Sequence, residues 1–425
     1  MVNIESLNNG LKIVYEKIPY VRTVAFGIWV NNGTRNEDKE INGVSHFIEH
    51  MIFKGTSKRS AKDIATEMDN LGGQFNAYTT KEYTCYHTRV LDTHFEKSLE
   101  VMSDMFLNSK FDESDIVRER GVINEEISMY DDAPEELVHD ALQEEIWKKS
   151  SLGMPILGTY NSISNINEKN LKAYFKRNYN PKNTVLSVVG NVDENLIPLL
   201  EKYFGSWHVE EEFSQNDTNT IYTPSVIERE KDIDQVHLIF AFEGISRTSD
   251  EKFTQSVFNS YFGGGMSSVL FQKIREEHSL TYSIYSYTSS YLDTGIFAIY
   301  ATMSKNQVEK VVKLILDEIE NCKINGIDKD ILENVKEQSL ISYLMGMEST
   351  VNKMNSYGTS MLLRNCIIPD NEIEDKIKNV TCTDVKNYID KVFDYNKMSI
   401  SFVGNINGIN IKELVDKHIS NFAKF

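Results

Sequence analysis

Two apolar runs near the start of the chain, residues 11–18 and 23–30, read as paired β-strands joined through Pro19 and Tyr20. The next apolar stretch has a different period. Phe47, Ile48, Met51, Ile52 and Phe53 surround a helical axis almost completely, which predicts a buried helix. Ser60 then offers an N-cap with Asp63 at the third helical position, and Gly72-Gly73 would end that helix. Residues 75–78 and 83–90 read as strands, and helices follow over about 94–107, 114–130 and 134–147. The mixture is that of an α+β protein.

The pattern then repeats. Leu171-Lys172-Ala173-Tyr174 and Val189-Gly190-Asn191-Val192 recur 214 residues later as Val385-Lys386-Asn387-Tyr388 and Val403-Gly404-Asn405-Ile406. Each copy is a helix, a β-rich run ending at Gly-Asn, and a second amphipathic helix, over 196–204 in one and 411–422 in the other. A constant offset of half the chain implies two homologous domains. We expect a first domain over 1–215, a linker over 216–234 and a second domain over 235–425. The polar stretch around the boundary (Glu210-Glu211-Glu212, then Gln215-Asn216-Asp217) reads as linker.

The buried helix of the first half carries His46-Phe47-Ile48-Glu49-His50. Residues four apart share a helix face, so both imidazoles can reach one ion, and Glu49 lies beside them. Buried imidazoles next to a buried carboxylate need a partner, and a metal ion supplies one. A catalytic zinc site takes three protein ligands and leaves a fourth position open. A third ligand can come from the helix near 114–130, whose apolar face is Ile116, Ile123 and Ile127. Glu119 and Glu126 lie two turns apart at the margin of that face, whereas Glu125 points nearly opposite it. Helix period alone does not decide whether Glu119 or Glu126 meets the metal. At the equivalent positions of the second half, Ser260, Gly263 and Gly264 cannot bind zinc, so only the first half carries a metal site.

The order H-x-x-E-H, with a glutamate about 75 residues on and another seven before it, resembles the pitrilysin/insulinase family of zinc peptidases, the inverzincins. The likeness is to the short branch similar to the mitochondrial processing peptidase. It extends through Asn76-Ala77-Tyr78-Thr79-Thr80-Lys81-Glu82 and Leu270-Phe271-Gln272-Lys273-Ile274-Arg275-Glu276-Glu277 to Leu280-Thr281-Tyr282-Ser283, and so spans essentially the whole chain. The resemblance implies two antiparallel sheets, each covered on one face by helices. It implies one Zn²⁺ held by His46, His50 and Glu126, with Glu119 orienting a histidine and Glu49 as general base. It also implies that Arg275 and Tyr282 complete the site from the metal-free half, and that the strand Asn76, Ala77, Tyr78 and Thr79 pairs with extended peptide. Two copies would form a homodimer around the substrate, or one copy would pair with a metal-free paralogue. The competing expectation is a non-catalytic peptide-binding or scaffold subunit. Such subunits usually lose a ligand or the base, and here His46, Glu49, His50, Glu126, Arg275 and Tyr282 all survive.

Composition adds little to this. A net charge of −18 argues against nucleic acid and suits either basic peptides or plain solubility. The four cysteines lack paired spacing and read as reduced, mostly buried thiols. No apolar leader follows Met1 and no run of 18 apolar residues occurs, so we expect no membrane span and a cytoplasmic location.

Overall fold

The computed structural model describes residues 2–208, 219–405 and 408–422. Glu210-Glu211-Glu212 and Gln215-Asn216-Asp217 of the expected linker lie outside these residues, as does Ile406. In chain order the strands are β1 (Val2–Ser6), β2 (Lys12–Lys17), β3 (Thr23–Val30), β4 (Gln74–Thr79), β5 (Thr84–Leu91), β6 (Thr184–Gly190), β7 (Val226–Arg229), β8 (Gln235–Glu243), β9 (Ser283–Ser290), β10 (Gly295–Ser304) and β11 (Ser399–Val403). Helices α1 (Val44–Ile52), α2 (Ala61–Asn70), α3 (Phe95–Asn108), α4 (Glu113–Asp131) and α5 (Pro134–Ile146) follow the first strands. Then come α6 (Tyr160–Asn165), α7 (Glu168–Asn178), α8 (Leu196–Phe204), α9 (Lys252–Phe262) and α10 (Val308–Asn325). The last are α11 (Lys329–Gly346), α12 (Thr350–Arg364), α13 (Asp370–Lys378), α14 (Cys382–Val392) and α15 (Ile411–Phe422).

The fold is α+β with two sheets, ordered β1-β2-β6-β3-β5-β4 and β7-β11-β8-β10-β9. Without β1, the two have the same pairing scheme. A parallel pair (β2 with β6, β7 with β11) is followed by three antiparallel ones. Helix α7 recurs as α14 with both ends displaced by the 214 residues of the sequence repeat.

The α+β class holds, but three expectations are corrected: each sheet contains one parallel pair rather than being wholly antiparallel, each carries a helix on its second face as well, and the first two strands are not neighbours. Residues 11–18 and 23–30 do form strands β2 and β3, but the two are not neighbours, because β6 lies between them. Strand β6 is buried along its whole length, so it needs partners on both edges. The connection through Pro19 and Tyr20 therefore passes the end of β6, where Ile18 N–H donates to Gly190 O at 2.7 Å. Gly190 has a φ of 148°, and a Cβ there would collide with the Thr23 carbonyl. Gly404 repeats this conformation in the second sheet, which explains why Val-Gly-Asn recurs.

The chain divides into two compact units, neither of them one contiguous half. Met1–Ser128, Met154–Asp217 and Leu344–Ile367 make the first; Met129–Gly153, Thr218–Tyr343 and Ile368–Phe425 make the second. In the first unit, Val24, Phe26, Ile28 and Val30 of β3 face a core shared with α1, α3, α4, α7 and α8. The alternate residues Ala25 and Trp29 face Met354, Tyr357 and Met361 of α12. In the second unit, Leu238, Phe240 and Phe242 face one core, while Ile239 and Ala241 pack on Val138, Leu142 and Ile146 of α5. Among the described residues, each sheet thus has a single helix on its second face, supplied by the opposite half of the sequence. Strand β7 falls inside the stretch expected as linker.

Close packing of α12 on β3 depends on Gly358, where a Cβ would overlap the indole of the fully buried Trp29. Alanine at 358 gains about 1 kcal/mol of helix propensity. Overpacking against a large rigid ring costs roughly 1–3 kcal/mol. We expect Gly358→Ala to be destabilising on balance, read as a lower urea midpoint with an unchanged slope.

All four cysteines are free, two buried (Cys85, Cys322), one half-buried (Cys382) and one exposed (Cys366). No helix among the described residues is long and apolar enough to cross a membrane.

Candidate metal centre

Helix α1 has its N-terminus fixed from outside. Gly43 takes the N-cap position with a φ of 92° and has no side chain to accept from the first turn. The buried carboxylate of Glu37 does this instead, accepting from the Gly43 N–H at 2.7 Å and the Ser45 N–H at 2.8 Å. Burial pushes the Glu37 pKa up, opposed by these N–H donors and by Asn42 Nδ2 at 2.8 Å. The arrangement sets the start of the helix, and hence where His46 and His50 emerge. Their rings lie 4.6 Å apart on one face.

Helix α4 presents two carboxylates to this pair. Glu126 Oε2 is 3.7 Å from Nε2 of His46 and 3.7 Å from Nε2 of His50. Glu119, two turns earlier and buried, lies on the other side of His50, with Oε2 at 3.2 Å from Nδ1. Its second oxygen accepts from Lys54 Nζ at 2.7 Å. The alternative that helix period left open is thereby separated. Glu126 faces the Nε2 atoms that both imidazoles share, while Glu119 faces the back of one ring. Glu125 is exposed.

The donor set fits zinc. One ligand atom from each of His46, His50 and Glu126 lies within 4.8 Å of the others, the one such group of three among the described residues. Tetrahedral zinc with bonds of about 2.0–2.2 Å separates its donors by roughly 3.3–3.6 Å. The two 3.7 Å separations are close to that range. Burial, and secondarily the neighbouring His50, holds the His46 pKa down at about 3, so its imidazole is neutral, the form that ligates. His50 has the outer carboxylate partner common for a liganding histidine, whereas the buried Nδ1 of His46 has no hydrogen-bond partner among the described residues.

Glu49 lies on the same helix, mostly buried. Burial raises its pKa, Glu126 adds to the rise, and Thr79 and His50 oppose it. Thr79 Oγ1 donates to Glu49 Oε2 at 2.6 Å. Thr79 ends β4, an edge strand that pairs only with β5 among the described residues. Asn76 is exposed on that strand, and Ala77 and Tyr78 are half-buried. The Tyr78 ring packs edge-on against Trp29, Tyr83 and His87, so its side chain is committed to the fold. A shallow apolar pocket beside Asn76 is lined by Phe53, Met68, Phe75, Met102 and Met105.

Arg275 and Tyr282 belong to the second unit. Arg275 lies on a π-helical turn (Phe271–Glu277), its guanidinium 4.6 Å from the Phe271 ring and 5.6 Å from the Tyr282 ring. Tyr282 is 78% exposed, which excludes a role as core filler. Gly263, equivalent to Glu49 by the repeat, docks on β9 by accepting from the Ser286 N–H at 3.2 Å.

The sequence offered no signal for Thr79 acting on Glu49, or for Glu37 capping α1. Lys54 follows His50 by four residues but lies beyond the end of α1 at Ile52, so the helix period does not place it.

Residues 12–160 match the sequence model described as insulinase (peptidase family M16), and residues 165–339 match the one described as peptidase M16 inactive domain. An uncharacterized zinc protease of Bacillus subtilis is 40% identical over 408 residues, covering 96% of this chain and all of that protein. A second, from Streptomyces coelicolor, is 36% identical over 90% of this chain and 85% of its own length. Among solved structures, a Helicobacter pylori protease superposes with a TM-score of 0.90 at 20% identity, covering 95% of this chain and 99% of that one. A Pseudomonas fluorescens structure described as a peptidase M16 inactive domain gives 0.87 at 20% identity, covering 95% and 98%.

Proposed function

Because this chain belongs to the insulinase family, peptidase family M16, we infer that it is a zinc-dependent endopeptidase that hydrolyses extended, unstructured peptides. The observation that carries this reading is the convergence of His46, His50 and Glu126 on one point, with Glu49 on the same helix.

His46, His50 and Glu126 would hold one Zn²⁺ per chain, which when bound acidifies a water and polarises a carbonyl oxygen. Glu49 would take the proton from the attacking water and then give it to the leaving amine. Glu119, fixed by Lys54, would keep His50 turned with Nε2 outward. Arg275 and Tyr282 would supply a positive charge and a phenol to the oxygen that becomes negative as the carbonyl is attacked.

The edge of β4 left unpaired among the described residues would take the peptide as an added strand, through backbone groups of Asn76, Ala77, Tyr78 and Thr79. Main-chain pairing demands extension and tolerates sequence. By resemblance, two chains would associate as a homodimer and enclose the peptide between them, the alternative being a pair with a metal-free paralogue.

The test compares one polypeptide in two states. A reduced, unfolded protein should be cut and its disulfide-locked native form spared. Equal cleavage of both forms would refute selection by strand pairing.

A further inference from the structure

We propose that Thr79 is the positioning residue for Glu49, so that the strand which receives the peptide also aims the base. The proposal rests on the reading of Glu49 as general base and goes beyond it. Glu49 has a long side chain and is mostly buried, yet the Thr79 hydroxyl is its one hydrogen-bond partner among the described residues. At 2.6 Å this is a short charge-assisted bond of the stronger kind.

The anchor is itself rigid. Thr79 stands opposite Thr84 in the β4–β5 ladder, their hydroxyl oxygens 3.4 Å apart. Thr84 is buried and donates to Asn32 O at 2.9 Å. The Thr79 side chain therefore leaves a fixed strand toward Glu49, while its backbone lies along the edge that would pair with substrate. Side chains stand roughly perpendicular to the plane of strand pairing, so one residue can do both.

The experiment measures saturation kinetics on an unstructured peptide with the zinc-loaded full chain, its Thr79→Val, Thr79→Ser and Glu49→Gln variants, and zinc affinity by chelator competition. Valine keeps the shape and strand preference of threonine and removes only the hydroxyl. We expect Thr79→Val to lower kcat roughly tenfold, the loss of one charge-assisted hydrogen bond, with KM and zinc affinity unchanged. Thr79→Ser should stay within about threefold of the parent, since the donor is kept. Three results would overturn the proposal: parental kcat in Thr79→Val beside a silent Glu49→Gln, equal losses in valine and serine, or a loss confined to KM or zinc affinity. Parental activity in Glu49→Gln would instead overturn the assignment of the base. A parent that cuts nothing would remove the peptidase reading and this proposal with it.

Discussion

Glu49→Gln should reduce kcat by roughly 10²–10⁴-fold, the usual contribution of a positioned acid–base group, and leave zinc bound. The two halves of this result depend on different geometry. Glu49 is outside the group formed by His46, His50 and Glu126, so its replacement removes no donor. Glutamine has nearly the same volume, and its carbonyl can still accept from the Thr79 hydroxyl, so the strand and helix should stay in place. What is lost is the ability to take a proton from water and return it to the amine. Peptide cleavage, metal content and a thermal melt measured on the same preparation check all three statements. A variant that loses zinc together with activity would show that Glu49 is a ligand rather than the base.

His50→Ala should abolish stoichiometric zinc binding, and cleavage with it. Two donors, His46 and Glu126, would remain, and three are the minimum found in catalytic sites. The variant would also leave Glu119 and Glu126 facing the space vacated by the imidazole, two carboxylates with nothing between them. Glu119→Gln tests the outer layer of the same site and should have a smaller effect. The three donors survive, but the carboxylate that meets His50 Nδ1 and Lys54 is neutralised, and zinc affinity should fall about 10–100-fold. Competition with a chromophoric chelator orders the parent, Glu119→Gln and His50→Ala. A Glu119→Gln variant that bound as poorly as His50→Ala would place Glu119 among the ligands.

Much of this was legible in the residues because it is local. The H-x-x-E-H spacing needs only one helix, and α1 provides it. Ser60 and Asp63 form the expected capping box, with Ser60 accepting from the Asp63 N–H and Asp63 from the Ser60 N–H. Helices α8 and α15 span the residues their periodicity marks out. What could not be read depends on partners far away in sequence. Strand β6 separates β2 from β3 although more than 150 residues lie between, and an apolar run carries no label for its neighbour. Helices α5 and α12 are amphipathic like the others, and nothing in their pattern says that each covers the sheet of the opposite half. In the site, Glu119 and Glu126 differ in helical phase by only about 20°. Only the tertiary packing of α4 on α1 puts one behind His50 and the other between the two Nε2 atoms.

Zinc held by His46, His50 and Glu126 should drive peptide hydrolysis. The most direct test is to assay cleavage of an unstructured peptide by the purified chain before chelation, after chelation and after one equivalent of Zn²⁺ is restored. We expect full activity, then none, then recovery that saturates at one zinc per chain. Cleavage that survives removal of the metal, or a chain that binds one zinc and cuts no peptide, would contradict it.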